Sequence, residues 1–295
     1  MPNSIALAQK FLPVLDEVYK RESLTSRLDY ANGEIEFIGA NVAKVAKMTI
    51  PGLGDYSRSG GYPHADLALA WETLTLTKDR GIDLEVDRMD NEESLGLAWG
   101  RLVGEFMRTS VIPEVDAFRF ATYASAVTPV KADITVGTTD VPGLIDTAEQ
   151  VMGDNEVPKE GRLLYISEKA YNGLKNKITR IIANERGVQR NIDVYDDMEV
   201  IRVPQGRFNT LVTLYDGTSN FGFVPTAGGY KINFMIVHPS AVKNAMKLAL
   251  PKIFTPDENQ SKDAWKFQYR QYHDAFVLDN KVNGIYVHAA STANS

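Results

Sequence analysis

The hydrophobic period of this chain switches once between residues 35 and 106, from two to 3.6, and that switch restricts the fold more than any other feature. Residues 35–50 read as extended, IEFIG and then VAKVAKMTI. The 16 residues that follow, PGLGDYSRSGGYPHAD at 51–66, hold four glycines and two prolines and form a loop by composition. Extended sequence then resumes, with Leu67, Leu69 and Trp71 alternating with Ala68, Ala70 and Glu72. After a KDRG turn signal at 78–81, Ile82, Leu84 and Val86 alternate with Asp83, Glu85 and Asp87. Alternation at period two marks strands with one apolar and one polar face. An arm of about nine residues per strand reaches roughly 30 Å. A two-stranded hairpin cannot bury its surface alone. It has to lie on its own domain or on another chain.

The helical period begins just beyond. Asp90 and Glu93 stand at capping-box spacing, and Leu95, Ala98, Trp99, Leu102 and Phe106 fall on one stripe. The spacing predicts a helix over 91–110, about 30 Å long. Pro113 interrupts it, and EVDAFRFATYA continues it with a bend. Gly96, Gly100 and Gly104 lie four apart on one face. Each costs about 1 kcal/mol relative to alanine, so a backbone or a neighbouring subunit is expected to approach that face. Arg101 and Glu105 inside the run argue against a membrane reading of the spacing.

The rest alternates short elements without a fixed repeat. Residues 4–20 carry apolar groups at helical spacing, with Pro13 as a kink or stop. PGLIDTAEQVM reads as a helix and RLLYIS as a buried strand, followed by helix SEKAYNGLKNK with Ser167 as N-cap. MEVIRVP and INFMIVHP read as strands around a Gly-rich polar section at 216–230, and SAVKNAMKLAL reads as a helix. WKFQYRQYHDAFVL and GIYVHAA read as strands joined by a DNKVNG turn. This order indicates a mixed α+β fold.

Composition removes several function classes. With no cysteine among 295 residues, disulfides, thiolate nucleophiles and Cys-ligated zinc are excluded. A formal charge of -6 does not advertise a nucleic-acid groove. No apolar run approaches the roughly 20 residues of a membrane helix. The N-terminus lacks a basic start and a small-residue cleavage site, and is read as mature, cytoplasmically made sequence.

The four histidines, His64, His238, His273 and His288, include no HExxH or i, i+4 pair. His273 beside Asp274 fits an ordinary strand histidine better than an oriented base. Acids crowd 79–93, and a metal-dependent enzyme using them is the rival reading. The alternation assigns Asp83, Glu85 and Asp87 to a polar strand face, and the calcium-loop spacing fails. GLGDYSRSGG lacks GxxxxGK[ST] and misses GxGxxG at Ser57. The aromatics of WKFQYRQY suit packing more than base stacking. These residues assign no catalytic, metal or cofactor site.

One ordered set of segments resembles a known family. GLGDYSR, WETLTLTKDRG, the VDxMDxEE strand-to-helix junction and IPEVDAFRFA together resemble the N-terminal half of tailed-bacteriophage major capsid proteins of the Johnson fold, also called the Hong Kong ninety-seven fold. GRLLYISEKAYNGLKN is similar to a segment of that family's axial domain. The resemblance covers roughly residues 1–180 well and the rest loosely. It implies an N-terminal arm at 1–40 and an extended loop at 41–88. A peripheral domain with a long spine helix would take 89–129 and 251–295, and an axial domain 130–250.

The implied function is self-assembly into pentamers and hexamers of an icosahedral shell around double-stranded phage DNA, held without sequence specificity. Tyr56, Arg58, Tyr62, His64, Trp71, Arg80, Gly96, Gly100 and Gly104 are the expected inter-subunit contacts. The expected partners are a portal protein and, because the chain begins close to the arm, a separate scaffolding protein, with assembly in the host cytoplasm and residence in the virion. No enzyme activity, cofactor or membrane is expected. An encapsulin-like nanocompartment shell is the nearest alternative.

Overall fold

The computed structural model describes residues 23–29, 42–49, 51–64, 66, 68–93, 102–177, 182–184, 187–189 and 192–294. The expected helix at 4–20 lies outside them, as do Leu95, Ala98, Trp99, Gly96 and Gly100. The alternating region supplies β1 (Val42–Thr49), β2 (Ala68–Thr75) and β3 (Lys78–Asp87). β1 and β2 pair antiparallel, from Val42 opposite Thr75 to Thr49 opposite Ala68, and form the expected two-stranded arm. Lys78–Gly81 is a correction: these residues open β3, and the chain turns at Leu76 and Thr77. Gly81 serves a close strand approach, because a Cβ there would stand 3.1 Å from the carbonyl oxygen of Tyr269.

A second correction concerns the helix start. α1 (Arg88–Glu93) begins three residues earlier than the 91–110 prediction, and Asp87 caps it by accepting the Met89 N–H at 2.9 Å. Asp90 lies within the first turn. The next described elements are α2 (Leu102–Phe106), a π-helical turn at Met107–Val111, and α3 (Ile112–Ser125). Pro113 sits in the first turn of α3. A proline has no N–H to give to the preceding turn, and the wider π turn just before it accommodates that loss.

The second half of the chain adds β4 (Val130–Lys131), α4 (Val141–Asp154), β5 (Leu163–Ser167) and α5 (Glu168–Lys177). Ser167 Oγ accepts the Ala170 N–H, as its capping position predicts. Short strands β6 (Ile182–Asn184), β7 (Gly187–Gln189) and β8 (Val194–Tyr195) lead to β9 (Met198–Val203). A hairpin of β10 (Val212–Leu214) and β11 (Phe223–Pro225) precedes β12 (Tyr230–Val237). The long strands β13 (Val242–Phe254) and β14 (Ala264–Val277), then β15 (Ile285–Ala293), complete the order.

SAVKNAMKLAL is therefore not a helix. Its apolar spacing suits either state. What decides it is pairing with β14 from Val242–Val277 to Phe254–Lys266, with a register shift between Met246 and Leu248. Pro251 within the strand also lacks the N–H a helix needs.

Two sheets organise these elements. The first has the order β13-β14-β3 and the second the order β4-β15-β12-β5-β9-β8. The last two long strands thus part company, with β14 in the first sheet and β15 in the second. Residues 242–250 join the sheet of β3, while 285–293 join the sheet built from 130–237.

β5 and the Ile232–Val237 part of β12 are buried on both faces, which explains the apolar runs Leu163–Ile166 and Phe234–Val237. On one face Leu164, Ile166, Phe234 and Ile236 pack with Val141, Ile145 and Ala148 of α4 and with Ala170 and Leu174 of α5. On the other, Tyr165, Met235 and Val237 pack with Phe120 and Tyr123 of α3. α3 also reaches the first sheet, where Val111 and Val115 meet Phe267 and Tyr269, flanked by Phe106, Ile82 and Leu84. Each fully buried Val, Leu, Ile, Phe or Met side chain among them contributes roughly 1.5–3 kcal/mol by leaving water.

Segment 23–29 is fastened to α3. The fully buried Asp116 accepts hydrogen bonds from the Leu24 and Thr25 N–H groups, from the Ser23 and Thr25 hydroxyls, and from Arg207. Arg119 donates to Thr25 Oγ1 and pairs with Asp29, while Leu28 enters the core.

Candidate interaction surface

The register of β1 and β2 sorts the arm's side chains into two faces. Directly opposed residues share a face, so Lys44, Ala46 and Met48 stand with Thr73, Trp71 and Leu69. All six are exposed, Trp71 at 59% and Leu69 at 56%. The opposite face rests on the body: Val45, Lys47 and Glu72 are half-buried and Leu74 is buried. Lys47 Nζ meets Asp279 Oδ2 at 2.9 Å. Desolvation, and then the nearby Asp279, push the Glu72 carboxyl above the usual carboxylate range.

The loop beyond the arm closes on itself through reciprocal backbone hydrogen bonds between Ser57 and Gly61. Gly61 sits at φ +78°, a conformation that suits glycine. Tyr56 and Tyr62 pack edge to face there, 5.0 Å apart, and both remain largely exposed, as do Leu53, Arg58 and His64. The arm therefore carries an uncovered apolar stripe, Met48–Leu69–Trp71, leading to an aromatic tip.

Tyr56, Arg58, Tyr62, His64 and Trp71 fall on this one surface. Arg80 does not: its guanidinium forks onto Glu114 (2.7 and 3.1 Å) and donates to the Tyr215 carbonyl, which ties β3 to α3 and the β10–β11 hairpin. Gly104 is exposed, and a Cβ there would touch nothing within 4 Å. The close approach expected of it is thus not supplied by the described part of this chain. Exposed Leu53 and Met48 were not singled out from the sequence, although Met48 follows from the register with Leu69.

Three of the acids of 79–93 form ion pairs with β14 or with the turn before it. Asp79 pairs with Arg270, Asp83 with Lys266, and Glu85 with Lys262 and Lys266. The Arg270 hydrogen bond holds the Asp79 carboxyl below its ordinary range, and the Lys266 and Lys262 hydrogen bonds do the same for Glu85. Among the described residues, no group of three or more His, Asp and Glu side chains is arranged to hold a metal. His273 is buried with neither ring nitrogen hydrogen-bonded, packed edge to face on Phe118. His288 contacts Asn233 and stacks on Phe234. His238 accepts from the Ser240 N–H in a tight turn. These are packing and turn histidines.

No protein-family model matches the sequence, and no curated protein matches it. Solved structures do. One from Mycobacterium phage Che8 is similar at 14% identity with a TM-score of 0.64, over 97% of this chain and 98% of that one. The capsid structure of cyanophage P-SCSP1u is similar at 13% identity and a TM-score of 0.66, over 98% and 93%. A virus-like particle from Pyrococcus furiosus is similar at 10% identity and a TM-score of 0.52, over 90% and 92%. Over nearly its whole length, the chain has the α+β fold of phage capsid structures.

Proposed function

We propose that this chain is the major capsid protein of a tailed bacteriophage, the subunit that closes into an icosahedral shell around the phage DNA. The observation that carries this reading is the arm. It presents Met48, Leu69, Trp71, Tyr56 and Tyr62 to solvent, and none of them joins the described core clusters of the body. A contiguous apolar strip of this kind marks a surface that another molecule covers. In a capsid fold the covering molecule is a second copy.

Repeated head-to-tail contact of an arm with a neighbour's body generates closed rings when the rotation closes. Pentamers and hexamers are such rings. Burial of the stripe supplies adhesion, and Arg58 at the tip supplies charge recognition, which contributes to register more than to affinity. Exposed Gly104 offers a surface that a neighbouring backbone can approach closely. Within this reading 1–40 is the N-terminal arm and 41–88 the extended loop, whose last strand β3 pairs with β14 beside α3 of the peripheral region. The six-stranded sheet with α4 and α5 is axial. A scaffolding protein, a portal and packaged DNA complete the partners, and the subunit resides in the virion.

A cellular compartment shell is the second reading. The lower similarity to the Pyrococcus furiosus particle than to the phage structures favours the phage. Negative-stain electron microscopy of the purified protein, with and without a scaffolding protein from a neighbouring gene, tests the shell. Uniform closed particles, or capsomers that close on adding scaffold, support it. A monodisperse monomer or dimer under every condition refutes it.

A further inference from the structure

We propose that the stretch Tyr272–Asn280 is the seat that fixes the direction in which the arm points, with Asp274 its positioning residue at the root and Asp279 its catch partway along. This rests on the reading of the arm as the assembly surface. Among the described residues, β1 and β2 form a sheet of their own, with no strand pairing to either of the larger sheets. Its direction depends on a few side-chain contacts, and the described ones converge on the end of β14 and the turn that follows it.

At the root, Leu76 and Thr77 connect β2 to β3. Asp274 Oδ2 accepts both the Thr77 N–H and the Thr77 hydroxyl, each at 2.8 Å, while Oδ1 accepts the Ala275 N–H of its own strand at 2.8 Å. The carboxylate is buried, so water does not compete freely for it. Tyr272 donates its hydroxyl to the Leu76 carbonyl at 2.9 Å, and the Leu76 side chain is buried. Both linker residues are thereby fixed from one strand.

Farther along, Asp279 meets Lys47 Nζ at 2.9 Å, and its backbone N–H faces the Glu72 carboxyl. Asn280 Nδ2 donates to the Met48 carbonyl at 3.4 Å. Two points along a rod define its direction. The buried point dominates, because an exposed ion pair adds little. With both held, the Met48–Leu69–Trp71 stripe faces one way relative to the body, and a neighbour can meet it without first ordering it.

The absence of native cysteine allows a direct test. Spin labels at Ser59→Cys on the tip and Gln150→Cys on α4 report the tip-to-body distance distribution. Labelled unassembled chains are diluted into unlabelled protein, so that distances within one chain are read. The expected result is a narrow distribution in the parent. It widens roughly twofold in Asp274→Ala and less in Asp279→Ala, as local anchorage is lost. Ile166→Val, which destabilises the six-stranded core instead, leaves the distribution narrow. If Asp274→Ala does not fold, Thr77→Val removes one of the two bonds and gives an intermediate width.

A broad distribution in the parent overturns the proposal. So does an Asp274→Ala or Thr77→Val distribution as narrow as the parent's, or equal broadening in Ile166→Val. Failure of the parent to form particles bears on the shell reading alone and leaves this comparison standing.

Discussion

Asp116 is a carboxylate with no exposed surface, and its neighbours explain why the interior tolerates it. Four donors from 23–25 and the Arg207 guanidinium satisfy it, with Arg119 bonded to the same Thr25. Asp116→Ala removes one side of the buried Asp116–Arg207 pair and unfastens segment 23–29. Breaking one side of a buried pair costs about 3–5 kcal/mol, which urea denaturation reads as a lower midpoint; a loss under about 1 kcal/mol would show that water replaces the carboxylate. His273 makes the complementary case, a buried base whose ring nitrogens find no hydrogen-bond partner among the described residues. Burial first, and then the Arg119 charge, lower its pKa from 6.5 to about 4. The folded state therefore binds this proton less readily than the unfolded state. The associated stability is complete above pH 6.5 and is lost as pH falls to about 4. The loss amounts to about 3 kcal/mol. His273→Phe removes that component from the acid limb of a stability-versus-pH curve. An acid limb identical to the parent's places the proton elsewhere.

The two faces of the β3–β14 pair carry unequal energies. Glu85 and Asp83 make partly exposed ion pairs, while Phe267 on the reverse face is fully buried under Phe106 and Val111. Phe267→Ala is expected to cost about 3–5 kcal/mol in thermal or chemical denaturation. Asp83→Ala and Glu85→Ala should shift the midpoint far less and leave assembly intact, and loss of assembly in the latter would return the acidic face to the list of contact surfaces. This contrast was legible in the sequence, because alternation at 82–87 shows the two faces of a strand directly. The buried strands within RLLYIS and INFMIVHP, the helical reading of PGLIDTAEQVM and the Ser167 cap of the next helix were equally plain. Residues 242–254 were not. Ala241, Val242, Ala245, Leu248 and Ala249 fit a helical stripe, and only the need of β14 for a second partner, a nonlocal fact, makes them a strand. The helix cap was misplaced from Asp87 to Asp90 because both positions carry Asp before an acidic run. Of the interaction surface, Tyr56, Tyr62 and Trp71 could be picked out because large apolar groups in a loop or on a hairpin need covering. Tyr272, Asp274 and Asp279 could not, since their role arises from contacts nearly 200 or more residues away in sequence.

At the scale of the molecule, folding and assembly draw on different side chains, and this separation is testable. The core clusters around β5, β12 and α3 are closed without the arm's exposed stripe. Leu69 and Trp71 are more than half exposed, so the unassembled chain gains little from them. In Leu69→Ser/Trp71→Ser, the unassembled subunit should keep its melting temperature within about 2 °C, because exposed substitutions away from special features stay near neutral. Assembly should behave oppositely. Buried aromatic anchors dominate interfaces, and losing about 2 kcal/mol at one contact weakens it roughly thirtyfold. The same contact recurs on every subunit of a shell, so the threshold concentration for closed particles rises steeply. Particle yield measured by sedimentation against subunit concentration gives that threshold. A variant that melts like its parent and forms no particles at the parent's threshold places the stripe in the subunit interface. A variant that assembles at the same threshold moves the interface off the arm, and a variant that melts much lower makes the arm part of the core.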